Sequence, residues 1–140
     1  MSKVMVIGVF DLFHRGHLEF LRSAARFGEE MLVVINGDRM VAEYKRAPIF
    51  SQDDRKEILE ALSFVTEVVI NGSFDVKPIV REYRPSVIVH GDDWPRESYL
   101  EQIRMTESDL GKYRVDLEFI PYFPSVSTSG IIQSIRSAGA

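Results

Sequence analysis

Three observations in this sequence predict a doubly wound α/β fold. Five short apolar runs rich in β-branched residues lack the alternation of a half-exposed strand. Segments with helical spacing separate them, and the polar clusters of the chain fall just after the runs. Unalternating apolar strands are covered on both faces, which implies a parallel sheet. The intervening helices supply the crossovers between parallel strands. The expected architecture is therefore one Rossmann-like domain over residues 1–140, a five-stranded parallel sheet with helices on both faces.

The elements follow in order. Val4 to Ile7 forms the first strand, and Leu18, Leu21 and Ala25 then share a helical face. Met31 to Ile35 is the second strand. Ser51, with Asp54 three residues later, resembles a capping box opening a helix that carries Arg55 and the face Ile58, Leu62 and Val65. Val68 to Ile70 is the third strand, followed by the stripe Val76, Ile79, Val80 and Tyr83 at helical spacing. Val87 to Val89 is the fourth strand. Pro95 to Lys112 is polar with scattered Leu100, Ile103 and Leu110, and is expected as a surface helix with loose ends. Leu117 to Ile120 is the fifth strand, and a last helix begins beyond Ser125 to Ser129.

Composition narrows the function. With 140 residues, 45% of them hydrophobic, the chain can bury one sizeable core. It has no cysteine, which excludes disulfides, thiolate metal sites and a cysteine nucleophile. No basic stretch leads into an apolar one at the N-terminus, and no apolar segment approaches ~18 residues, so neither signal peptide nor membrane span is expected and the location expected is cytoplasmic. A net charge of −4 argues against nucleic acid as a partner. Basic residues nevertheless cluster locally, as Lys45-Arg46 and Arg55-Lys56, which suits a small anion.

In doubly wound sheets ligands sit beyond the carboxyl ends of the strands. Gly8-Val9-Phe10-Asp11-Leu12-Phe13-His14-Arg15-Gly16-His17 follows the first strand and enters a helix, whose first N–H groups and partial positive charge suit phosphate. Asn36-Gly37-Asp38 follows the second strand and Gly91-Asp92-Asp93-Trp94 the fourth. Ser125-Val126-Ser127-Thr128-Ser129 follows the fifth. One crevice lined by His14, His17, Asp93, Trp94 and the start of the last helix is the expectation. Plainer readings stand beside it. Asp92 and Asp93 also suit a turn, Trp94 a core, and Ser127, Thr128 and Ser129 helix caps. Lys45-Arg46 equally suits a solvated charge pair, Arg55 a partner of Asp54 or Glu57, and His90 a packing role. The His14/His17 pair lacks the third ligand that a metal site needs.

These residues resemble a known superfamily. Gly8 to Asp11 with His14, Gly16 and His17 is similar to the HxGH signature of nucleotidyltransferases. With Arg55-Lys56, Gly91 to Trp94 and Val126 to Ser129, the resemblance extends over nearly the whole chain and points to small cytidylyltransferases. The glycerol-3-phosphate enzymes are the nearest match. Phosphonate-pathway cytidylyltransferase domains resemble Tyr44-Lys45-Arg46-Ala47-Pro48 and Val89 to Trp94 especially well. The resemblance implies transfer of CMP from CTP to a small phosphorylated acceptor, such as glycerol 3-phosphate, with release of pyrophosphate. It implies His14, His17 and Lys45 as catalytic residues. Gly8, Val9, Phe10, Asp11, Gly16, Arg55, Gly91, Asp92, Asp93, Trp94, Ser127, Thr128 and Ser129 would bind the nucleotide. Lys77 and Asp11 would serve the acceptor, although an exposed lysine in a first helical turn needs no such role. Mg²⁺ would be bridged by phosphates without direct side-chain ligands, and a homodimer is the assembly implied.

Two residues depart from that pattern. Tyr122 stands where the glycerol-phosphate enzymes carry an arginine, and losing such a donor costs about 10²–10³ in rate unless another group replaces it. Val9 replaces a small hydroxyl residue. Three other readings are kept open: a phosphonate cytidylyltransferase, an adenylyltransferase of the same fold forming a dinucleotide or an ADP-linked sugar, and a nucleotide-binding module without catalysis.

Overall fold

The computed structural model describes residues 2–121 and 127–139. Five parallel strands lie in the order β3-β2-β1-β4-β5. They are β1 (Lys3–Gly8), β2 (Glu30–Asn36), β3 (Glu67–Asn71), β4 (Val87–Gly91) and β5 (Asp116–Ile120). Each contains the strand expected at its place. β1 pairs with β2 from Lys3 opposite Glu30 to Gly8 opposite Ile35. On its other edge Val4 and Met5 face Val87 and Ile88 of β4. Strand order therefore reverses between β1 and β4, and a crevice opens there.

Successive residues of the central strands serve opposite cores. Val4, Val6, Met31, Val33 and Ile35 pack with Phe20, Leu21 and Ala24 of helix α1 (Arg15–Ala25) and Leu59 of α3 (Gln52–Glu60). Met5, Ile7, Leu32, Val34 and Ile88 pack on the other face. Their partners there are Val80 of α4 (Lys77–Tyr83), Tyr99 and Leu100 of α5 (Arg96–Gln102) and Leu110 of α6 (Glu107–Tyr113). Burial on both faces is why these strands show no alternation. Among the described residues, no helix is long and apolar enough to cross a membrane.

Three expectations need correction. The stretch from Pro95 to Lys112 is two helices that belong to the core. Ile103 and Met105 are buried between them, and Arg104 takes a left-handed φ of 60°. Thr106 and Asp109 form a reciprocal capping box that restarts the helix. Next, α3 ends at Glu60, so Leu62 and Val65 reach the core from the following turn. Last, a short helix, α2 (Asp38–Tyr44), follows β2. Its seven residues are too few to show periodicity. Helix α7 (Thr128–Gly139) is the last element of the described residues.

Candidate active site

The turn after β1 is held by tight local constraints. Phe10 and Leu12 adopt left-handed φ angles of 54° and 49°. Phe10 folds back over Gly8, where an added Cβ would lie 2.9 Å from the ring. Two histidines then cap helix α1. His14 Nδ1 accepts from the Gly16 N–H at 3.0 Å, and the His14 N–H donates to His17 Nδ1 at 3.3 Å. This is a capping box with imidazoles in place of hydroxyl and carboxylate. Because each Nδ1 accepts, the proton of each neutral ring sits on Nε2.

Both rings are held neutral. They stack at 3.8 Å, and Phe10 and Phe13 pack against His17 at 5.4 Å each. Burial, with the neighbouring His14, lowers the His17 pKa to about 4 against the pull of Asp11. Burial also lowers that of His14. At neutral pH the pair therefore offers two N–H donors and no charge.

Asp11 is 3% exposed. Its carboxylate accepts from the backbone N–H groups of Leu12, Ile49 and Phe50 and from Arg46 Nη1 at 2.7–3.1 Å. Burial acts to raise its pKa, but the Phe50 and Ile49 N–H groups and Arg46 outweigh it, and the net shift is downward. Asp11 thus fastens the segment from Arg46 to Phe50 against the β1–α1 turn. Thr128 Oγ1 donates to the Asp11 carbonyl at 3.0 Å, which seats the start of α7 on the same turn. Ser127 caps α7 through its contact with the Gly130 N–H at 2.9 Å. Lys45 sits at the end of α2. Burial, with Arg46 and Arg55 nearby, lowers its pKa despite Asp11.

These elements enclose a cavity of about 720 Å³ at the carboxyl ends of the strands. Its middle is the turn with Gly8, Val9, Phe10, Asp11, His14, Gly16 and His17. Toward β4 it is lined by His90, Asp93, Trp94 and Ser127, Thr128 and Ser129. Toward β2 and β3 it is lined by Asn36, Tyr44, Lys45, Arg46, Asn71 and Phe74. The expected crevice is therefore present, with His14, His17, Asp93, Trp94 and the start of α7 together.

Four expected site residues lie elsewhere. Arg55 does not reach the cavity: 1% exposed, it donates to the carbonyls of Phe50, Val9 and Asn36 and to Asp38 Oδ1. Its role is to tie the turns after β1 and β2 together. Lys77 is also turned away, its ammonium bonded to the Asp75 carboxylate and the Arg104 carbonyl. Gly91 and Asp92 shape the turn before Asp93 without lining the cavity, and the Asp92 N–H donates to the Ile120 carbonyl. Tyr122 and Val126 fall outside the described residues. Sequence reasoning missed Asn71, Phe74 and Tyr44 as lining residues. The available signal was an asparagine ending each of β2 and β3.

No group of three or more His, Asp or Glu that could hold a metal occurs among the described residues. Asp11 has its oxygens engaged by four donors, and the other side chains around the turn offer N–H groups. This donor set fits phosphate oxygens.

Residues 5–134 match the family model described as "Cytidylyltransferase-like". The FAD synthase of Thermococcus sibiricus is 37% identical over 143 residues, covering 95% of this chain and 91% of that one. The FAD synthase of Aciduliprofundum boonei is 40% identical over 93 residues, which span 66% of this chain and 62% of the relative. Among solved structures, the lipopolysaccharide core biosynthesis protein from Thermoplasma volcanium superposes with a TM-score of 0.76 at 27% identity, covering 88% of this chain and 98% of that one.

Proposed function

The chain belongs to the cytidylyltransferase-like family of nucleotidyltransferases, and from that premise we propose that it transfers AMP from ATP to FMN, forming FAD and releasing pyrophosphate. The observation that carries this reading is the 37% identity to a FAD synthase over 95% of the chain. It favours the adenylyl alternative over the CTP-dependent, glycerol-phosphate reading that the motifs alone suggested. The cavity supports it as well, since the side toward β2 and β3 is walled by Met40, Val41, Tyr44, Phe74 and Val76. Such a wall suits a flat ring better than a polyol.

In the proposed reaction an FMN phosphate oxygen attacks the α-phosphorus of ATP. The new O–P bond forms as the bond to the bridging oxygen breaks, and pyrophosphate leaves with the electron pair. The attacking oxygen is already anionic, so no protein nucleophile is needed. The chain contributes position and charge compensation. His14 and His17 donate from Nε2 to phosphate oxygens, and Lys45 neutralises charge growing on the leaving group. Ser127, Thr128 and Ser129 hold phosphate at the start of α7, and Asp93 and Trp94 frame the base. Asp11 acts by holding Arg46 and the following loop in place. Mg²⁺ entering with the nucleotide would neutralise part of the phosphate charge, beside the donors that His14, His17 and Lys45 supply. The homodimer implied by the resemblance stands as part of this proposal.

The test is pyrophosphate release and product mass with ATP or CTP against FMN, glycerol 3-phosphate, a phosphonate and a sugar phosphate. ATP with FMN should exceed every other pair by about tenfold or more in kcat/KM. A second reading draws on the structural likeness to the lipopolysaccharide core biosynthesis protein of Thermoplasma volcanium. ATP turnover with a sugar phosphate but not FMN would select it. CTP turnover with glycerol 3-phosphate or the phosphonate would restore the cytidylyl reading, and tight nucleotide binding without turnover would indicate a binding module.

A further inference from the structure

On the β2/β3 side of the cavity a line of hydrogen bonds has its direction fixed at one end. The Ser73 N–H donates to Asn71 Oδ1 at 3.1 Å. A backbone N–H can only donate, so the oxygen of Asn71 faces Ser73 and its NH₂ faces Asn36, meeting Oδ1 at 3.3 Å. Asn36 then presents its own NH₂ to Tyr44, 3.2 Å from the phenol oxygen. With that oxygen accepting, the hydroxyl proton of Tyr44 is left for the cavity. Asn36 and Asn71 are only 8% and 3% exposed, so water competes little for the relay. Aligned hydrogen bonds through the two buried asparagines polarise one another and strengthen the terminal donor, which sits on the 41% exposed Tyr44.

The wall beside that donor is aromatic and aliphatic, with the Lys45 ammonium 5.9 Å from the Tyr44 ring centroid. Phe74 stands edge-on to Tyr44, with centroids 5.7 Å apart and planes at 66°. The Arg104 guanidinium lies 5.5 Å from the Phe74 ring. Met40, Val76 and Ile103 line the same side. An apolar, aromatic wall with one oriented donor selects a planar ring bearing an acceptor on its edge. A polyol has no face for the wall.

We propose that Tyr44 is the specificity-determining donor for the acceptor substrate, giving its hydroxyl proton to a carbonyl oxygen or ring nitrogen on the edge of a planar heteroaromatic ring lodged against Phe74. Asn71 is a positioning residue that fixes which way the proton points. This inference rests on the FMN reading, since the flavin ring carries such acceptors along one edge.

The test is a titration of flavin fluorescence with FMN, for wild type, Tyr44→Phe, Asn71→Asp and the double variant, with the ATP KM measured in parallel. Tyr44→Phe keeps the ring and removes the donor. It should weaken FMN binding by about five- to twentyfold and leave the ATP KM within about twofold. In Asn71→Asp the carboxylate still accepts from Ser73 but has nothing to give Asn36. The Asn36 amide then turns over, its oxygen takes the Tyr44 proton, and FMN binding should fall by a similar factor. The double variant should bind FMN no worse than Tyr44→Phe alone, because both changes remove the same proton. Losses that multiply would make Asn71 merely structural and overturn its role. If wild type converts FMN and Tyr44→Phe binds it within twofold of wild type, the Tyr44 proposal falls alone. If wild type neither binds nor adenylylates FMN, both readings fall. Should Asn71→Asp melt before titration, Tyr44→Phe still decides the case.

Discussion

Replacing Arg55 with methionine asks whether this arginine serves the fold or the nucleotide. Its side chain is fully closed to solvent. It reaches the carbonyls of Phe50 at 3.1 Å, Val9 at 2.9 Å and Asn36 at 2.8 Å, and Asp38 Oδ1 at 2.7 Å. Methionine fills much of the same volume and donates nothing. Asp38 is 44% exposed and regains water on losing its partner, so that contact matters little. The buried Asn36 carbonyl has no such recourse and those of Val9 and Phe50 are part-buried, and a buried acceptor left unpaired costs about 1–3 kcal/mol. Removing one partner from a buried charged constellation typically costs about 3–5 kcal/mol in all. At roughly 0.3 kcal/mol/K of unfolding entropy for a chain of this length, the Tm should drop by roughly 10–17 °C. Circular dichroism melts would read it. Below the melt, ATP affinity should stay within about threefold of wild type, because Arg55 does not reach the cavity. A normal Tm with a tenfold or greater loss of ATP affinity would put Arg55 on the nucleotide and refute the structural account.

Other outcomes follow from the same geometry. His17→Ala should cut kcat by about 10²–10³ through loss of a phosphate donor, and lower stability by about 0.5–2 kcal/mol through the broken cap; unchanged turnover would remove His17 from the mechanism. His17 and His90 have folded-state pKa values of about 4, below the ordinary 6.5, chiefly through burial. The unfolded chain therefore takes up protons that the folded one refuses, so this stability is complete above about pH 6.5 and drains as pH falls toward 4, by roughly 3 kcal/mol for each ring. Urea midpoints at pH 7 and pH 4.5 measure it, and a flat profile would contradict the burial of both rings. Lys77→Ala should leave the acceptor KM within about twofold, because its ammonium is bound to Asp75 and Arg104; a tenfold rise in steady-state KM would return Lys77 to the acceptor site.

Local pattern was enough for most of the fold. Strands buried on both faces have to be apolar throughout, so each of the five runs could be read without knowing its neighbours. The helix after Pro95 was misread because its period breaks at Arg104, where a left-handed residue ends one helix and the Thr106 capping box starts the next. The mean polarity of that stretch hides a core face made by Tyr99, Leu100, Met105 and Leu110.

By itself the sequence determined the strand–turn–helix around His14 and His17, the family it resembles and the end of the sheet where ligands belong. All of these depend on residues close together in the chain, where spacing and turn chemistry act directly. Only the tertiary structure decided which basic groups are free to act. Arg55, Lys77 and Lys45 look alike as charges in a sequence. Their fates depend on acceptors brought from Val9 and Asn36 for Arg55 and from Arg104 for Lys77. The acceptor side of the cavity was equally hidden, because Asn36, Tyr44 and Asn71 form one directed relay only after β2 and β3 pair. Short-range pattern specifies an element, whereas a site built from several strand ends exists only once the sheet has brought those ends together.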